Sequence, residues 1–483
     1  MTFEESEEYR ICSGCIGDKY LKAEVDHVGE QATCSYCGVE GNTISIEELA
    51  DRIEQALEDH YQCTSNEPTG YEYALLSDRE IDYDWDRHGE PVGFVIQEAA
   101  EIEEEPAEQV RHILYERNFD FDMTAAGEEN PFDDEAHYEG KDVSDHELQQ
   151  GWAYFQKSLK TEARLFNRDA ESTLDSIFEG LTGHTTYNSG AVIVNAGPGR
   201  RISKLYRARV FQNDENLEQA LIRPDIEIGP PPFSAASAGR MNAKGISVFY
   251  GATNKNVALT EVRPPVGSRV VVGLFEITRP IKLLDVEKLR SIYVKGSIFD
   301  PVFIGRLEKA KFLETLSNHI TMPVMPEDEA VDYLVTQAIA DYLASRTDPE
   351  LDGIIYRSIQ NGNRGRNVAL FHKSSRVESL NISEGSEFNA YLGMWSEDGW
   401  EDDYTVIEME PKKPVKPRKR PKRTSVFDPV EFSKPYREDT DIRPKTLKID
   451  TDSVKVHHIQ SIKVTSSSHE VSRYKSDRRK NEF

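Results

Sequence analysis

At 483 residues the chain has room for several domains and a sizeable buried core, and its mean hydropathy of −0.60 marks large parts of it as polar. No apolar run approaches the roughly 20 residues of a membrane helix, and the opening MTFEESEEYR lacks the apolar stretch of a signal peptide, so a cytoplasmic protein without membrane spans is expected. The net charge of −28 is uneven: residues 1–150 hold 41 acidic and 9 basic residues, the remainder 45 and 49, which argues against nucleic acid binding by the first third.

Near the N-terminus Cys12, Cys15, Cys34 and Cys37 have the spacing C-x2-C-x18-C-x2-C. Two such pairs place four thiolates around one tetrahedral ion, and a four-cysteine set leaves no open position for chemistry. The expectation is a structural zinc ribbon over 1–44; the bland alternative is four reduced thiols. Cys63 has no partner in this pattern. Ser45 followed by Glu48, with Ile46, Leu49, Ile53 and Leu57 at helical spacing, predicts a capped helix over 45–62. Helical patterns return at 93–117 and 147–180, separated by an acidic, turn-rich segment at 126–146. Residues 45–182 therefore read as an acidic helical domain.

From about 186 the texture changes to short β-rich runs: GAVIVN, KLYRARVF, GISVFYG, SRVVVGLFEI, IKLLDV, GIIYRSI and NVALFHK. A helix is expected at 327–346, and an α/β domain over 186–380. Residues 381–483 read as a C-terminal extension. Within it 411–424 carry eight Lys/Arg and four Pro, an extended basic linker, and VKVHHIQSIKV gives weak strand signals.

The chemistry-bearing residues concentrate in the α/β part. Arg207 and Arg209 share one face of a strand by their i,i+2 spacing. A Gly-rich turn, AGRMNAKG, carries Arg240 and Asn242. Tyr250 ends a strand, Glu261 sits on the apolar side of a short helix, and Ser358 ends the strand before NGNRGRN, which contains Asn367. Arginine forks, glycines and an aromatic suit a pyrophosphate-bearing nucleotide. Taken singly, each residue also reads as an ordinary surface, core or turn residue.

In order and spacing, YRARV, AGRMNAKGISVFYGATNKNVALTEVRP and DGIIYRSIQNGNRGRNVALF resemble the RES domain family over roughly 190–375. The head of the chain, with ICSGC, CSYCG and WAYFQKSLKTEARLF, resembles the N-terminal region grouped with HEPN domains that accompanies RES domains. The resemblance implies an α+β chain: zinc ribbon, acidic helical domain, an ADP-ribosyltransferase-like RES domain and a basic tail. It implies an enzyme that consumes NAD, by hydrolysis, phosphorolysis or ADP-ribose transfer to a protein, in a toxin–antitoxin or defence setting with an inhibitory partner. The family's catalytic set falls on Arg207, Tyr250, Glu261 and Ser358; Arg209, Arg240, Asn242 and Asn367 are expected, from their own chemistry, to bind the cofactor. Met241 stands where short family members often carry Trp, and 280–330 is longer than in compact members. A nucleic-acid-binding regulator is the competing class, from the ribbon and the basic run. A HEPN-type ribonuclease is not expected, because no Arg and His stand about six residues apart in the helical region.

Overall fold

The computed structural model describes residues 9–78, 80–121, 129–162, 166–188, 190–322, 329–358, 360, 365–410, 441–463 and 466–474. The chain divides into two compact units, Met1–Val192 with Val286–Met322, and Ile193–Asp285 with Pro323–Phe483.

In the first unit the strand Glu40–Ser45 lies between Arg10–Cys12 and Glu30–Thr33, antiparallel to both. Asp18 caps the helix Lys19–Val28 by accepting from the Tyr20 and Leu21 N–H groups. The predicted capping box is present: Ser45 and Glu48 exchange side-chain and backbone bonds at the start of Ile46–His60. That helix buries Leu49, Ile53 and Leu57 in one core with Ile11, Leu21, Val25 and Ile44. Residues 1–44 and the helices after them thus share a core, where the sequence reading draws a domain border.

The helix expected over 93–117 is two, Val92–Ala100 and Glu104–Arg117. Glu101 breaks it with φ of 51°, and the carbonyls of Ala100 and Glu101 accept from Asp18 and Gly17, so the break anchors the cysteine loop. Residues 286–322, which the expected α/β domain over 186–380 includes, belong to this unit. Phe299 enters the same core, and Phe312 of the helix Phe303–Thr321 packs edge-on to Trp152 of the helix His146–Thr161.

The second unit is built on strands β1 (Ile193–Ala196), β2 (Lys204–Phe211), β3 (Phe249–Ala252), β4 (Arg269–Ile277), β5 (Ile281–Asp285), β6 (Gly353–Arg357), β7 (Arg366–Leu370), β8 (Glu387–Ser396), β9 (Gly399–Met409) and β10 (Leu447–His458). Eight of them form one sheet in the order β10-β4-β2-β3-β7-β6-β5-β1. All its neighbours are antiparallel except β5 and β6. β8 and β9 make a separate hairpin. One face buries Leu205, Phe249, Phe275, Leu283 and Leu370, the other Ala208, Ala252, Val257 and Val270. The helix expected at 327–346 is observed as Glu329–Ser345.

Two features position the site. β2 pairs with β4 along its whole length but shares only the register pair Tyr206–Ala252 with β3, so the sheet opens between them. β10, expected as a weak strand in a tail extension, is a strand of the main sheet paired with β4, with a bulge between Val272 and Leu274. Leu447 and Ile449 join the core beside Phe275, and Arg443 ties the approach to β10 by pairing with Asp441 and donating to the His372 carbonyl. The basic run 411–424 lies outside the described residues.

Candidate functional site

The four N-terminal cysteines converge. Sulfur–sulfur distances are 3.7 Å for Cys12–Cys15, 3.6 Å for Cys12–Cys37 and 3.8 Å for Cys15–Cys34, and all four sulfurs lie within 4.8 Å of one another. Four Zn–S bonds of about 2.3 Å in a tetrahedron require edges of about 3.8 Å, so the set fits a zinc ion. Burial raises the Cys34 thiol, but the N–H groups of Cys37, Tyr36 and Cys12 outweigh it and bring the pKa to about 7. These four residues would hold the metal as a structural cross-link. Cys63 is exposed and stands apart from them, near Arg87.

The opening between β2 and β3 is a pocket of about 250 Å³ in the second unit. β2 contributes Tyr206 and Arg207, β3 contributes Tyr250 and Gly251, the helix Lys255–Glu261 contributes Ala258 and Glu261, and β6 and β7 contribute Tyr356 and Asn367. Gly251 is required here: a Cβ would come within 2.7 Å of the Phe249 ring and 3.3 Å of the Tyr206 carbonyl.

Glu261 ends a helix that Asn254 caps through the Val257 N–H, with Val257 and Ala258 packed against the sheet. Its Oε1 accepts 2.6 Å from Ser358 Oγ and 2.8 Å from Asn367 Nδ2, leaving Oε2 without a hydrogen bond among the described residues. Ser358 is fully buried just past β6 and does not line the pocket. Its hydroxyl is placed to fix the carboxylate of Glu261.

Arg207 stacks its guanidinium 5.0 Å from the centre of the Phe249 ring. Its Nη1 is buried with no hydrogen-bond partner among the described residues. Burial, then the charge of Arg209, lowers its pKa to about 10, and it stays cationic at neutral pH. A buried cation with an unused donor on a pocket wall calls for an anion there.

The Tyr250 hydroxyl accepts from the Met241 N–H at 2.9 Å and donates to Asn242 Oδ1 at 2.8 Å. Burial pushes its pKa up to about 12. Asn242 is buried, and its Nδ2 donates to the carbonyls of Ser237, Ala243 and Ile246. Gln337 donates to the carbonyls of Gly239 and Asn242, pinning the turn. The Gly-rich turn thus serves as a brace for Tyr250 where a cofactor contact was expected of Asn242. Arg240 is close enough to Tyr250 and Tyr356 to affect both hydroxyls, but it does not line the pocket. Arg209 is turned away from the lining, half-exposed and paired with Glu227. Asn367 does line it.

Besides the small and apolar residues of the lining, Tyr206 and Tyr356 are lining residues with a polar group that the sequence does not single out. Tyr356 lies on β6 two positions before Ser358, which follows the strand, a spacing that could have flagged it.

Residues 205–389 match the RES domain family, from β2 into β8, and all eight expected catalytic and cofactor-binding residues fall within that span. RES domains are enzyme domains that act on NAD. No family match covers the N-terminal region, so its HEPN-type reading has no support beyond the resemblance. No curated protein matches the chain.

Proposed function

We propose that the second unit cleaves the nicotinamide–ribose bond of NAD. The observation that carries this reading is one pocket, inside the RES match, with an anchored carboxylate and a guanidinium whose buried Nη1 has no hydrogen-bond partner among the described residues. The split of the sheet between β2 and β3 is in keeping with an ADP-ribosyltransferase-like fold.

Breaking the bond builds positive charge on the ribose, as in glycoside cleavage. Glu261 stabilises that charge. With Oε1 held by Ser358 and Asn367, its Oε2 is available to the ribose. Nicotinamide leaves as a neutral base from a cationic ring, so the reaction needs no strong general acid. The Tyr250 ring faces that cationic ring, since its hydroxyl is committed to the protein. Arg207 supplies the charge complement for the pyrophosphate. A volume of about 250 Å³ is at the small end for ligand pockets and suits one end of a dinucleotide. Unrestrained loss of NAD harms the host cell, which favours an inhibitory protein partner.

The test is purified protein with NAD, in buffers with and without phosphate. Hydrolysis gives ADP-ribose and nicotinamide; phosphorolysis gives ADP-ribose-1″-phosphate in phosphate buffer alone; transfer gives labelled protein. NAD that stays intact in every buffer contradicts the reading.

A further inference from the structure

Tyr250, Tyr356 and Tyr206 all line the pocket, but they are not equivalent. The Tyr250 hydroxyl is fully engaged: it accepts one backbone bond and donates to Asn242, whose own amide is taken up by three carbonyls. It has no proton left for a ligand. Tyr356 differs. It sits on β6 directly across from Asn367 on β7, and Asn367 is the residue that donates to Glu261. Its hydroxyl makes no hydrogen bond with the described residues, although the ring forms part of the pocket wall. Burial, followed by the proximity of Tyr250 and Glu261, pushes its pKa far up, so it remains a neutral O–H donor at any working pH. Tyr206, in contrast, is close to the exposed Lys204.

A phenol on the pocket wall with no partner among the described residues, beside an anchored carboxylate, is a donor free to meet a ligand. We propose that the Tyr356 hydroxyl is a further substrate-contacting group, donating to a hydroxyl oxygen of the same ribose that Glu261 faces. This rests on the NAD reading above. In this arrangement Tyr250 supplies a ring face, Glu261 a charge and Tyr356 a directed hydrogen bond. The two tyrosines therefore do different work, although sequence reading singles out only Tyr250.

The experiment compares wild type with Tyr356→Phe, which removes one oxygen and keeps the ring. Steady-state cleavage is measured on NAD and on two analogues lacking the 2′- or the 3′-hydroxyl of the nicotinamide-side ribose. The melting temperature should be unchanged, because the hydroxyl has no bond to the described residues. kcat/KM on NAD should fall roughly 10- to 100-fold. On one of the two analogues wild type and variant should become equal, because the partner oxygen is gone. An undiminished kcat/KM on NAD overturns the proposal. So does an equal loss on NAD and both analogues, or a lowered melting temperature, which would mean that the hydroxyl is bonded within the protein. A wild-type protein that leaves NAD intact overturns the NAD reading first, and this proposal with it.

Discussion

Replacing Ser358 by Ala isolates what anchoring the carboxylate contributes. The side chain is fully buried, outside the pocket lining, and its Oγ is 2.6 Å from Glu261 Oε1. Alanine keeps the Cβ and removes the donor without adding volume. A hydrogen bond to a charged group is worth about 1.5–3 kcal/mol. Asn367 still holds the same oxygen at 2.8 Å, so the carboxylate keeps one of its two anchors. If the lost anchor is felt where charge develops on the ribose, kcat falls roughly 10- to 150-fold. Because Ser358 does not line the pocket, KM for NAD should stay within about twofold. Initial rates of nicotinamide release over a range of NAD concentrations give both constants. An unchanged kcat, or an unchanged kcat with a raised KM, refutes the positioning role; the second result would place the serine in contact with NAD.

Arg207→Met removes a charge whose buried Nη1 has no partner among the described residues, so the ligand-free melting temperature should hold or rise while the stabilisation by added NAD disappears; a large drop in melting temperature without NAD would show a structural role instead. Arg207→Lys should restore binding only weakly, since a point charge does not reproduce the fork. Metal analysis should return one zinc per chain, and chelation or Cys34→Ser should reduce the circular dichroism signal of the first unit; full ellipticity without metal contradicts the structural assignment. Asp441, held down at about 2 chiefly by its bonds to Arg443, is ionised in the folded state well below its ordinary value. Its stabilising contribution is therefore fully present above about pH 4 and lost as pH falls towards 2. Denaturant titrations of wild type and Asp441→Asn should differ at pH 6 and converge near pH 2; a constant gap would refute the linkage.

Local signals carried much of this structure. The capping box at Ser45 and Glu48 and the four-cysteine spacing are short-range patterns, and both formed as read. The proximity of Glu261 and Ser358, 97 residues apart, came from the family resemblance and not from periodicity. What stayed hidden depended on partners distant in sequence. The Gly-rich turn reads as a ligand loop until Gln337, some 95 residues on, is seen fastening its carbonyls and Asn242 is seen holding Tyr250. Residues 286–322 leave the α/β part because Phe312 meets Trp152, a match of surfaces that no window of sequence contains. The strand β10 was faint because it mixes charged and apolar residues, KIDTDSVKVHH, and its place follows from pairing with β4. Tyr356 was passed over because a tyrosine in a strand reads as packing until its hydroxyl is found without a partner in the described residues.

The central claim is that Glu261 in this pocket drives loss of nicotinamide from NAD. Its most direct test is the rate of NAD consumption by the purified full-length protein and by Glu261→Gln, which keeps shape and hydrogen bonding and removes the charge. Wild type should turn NAD over measurably and the variant should lose at least roughly 100-fold, with NAD still protecting it against thermal unfolding. No turnover by wild type, or equal turnover by both proteins, would contradict that claim.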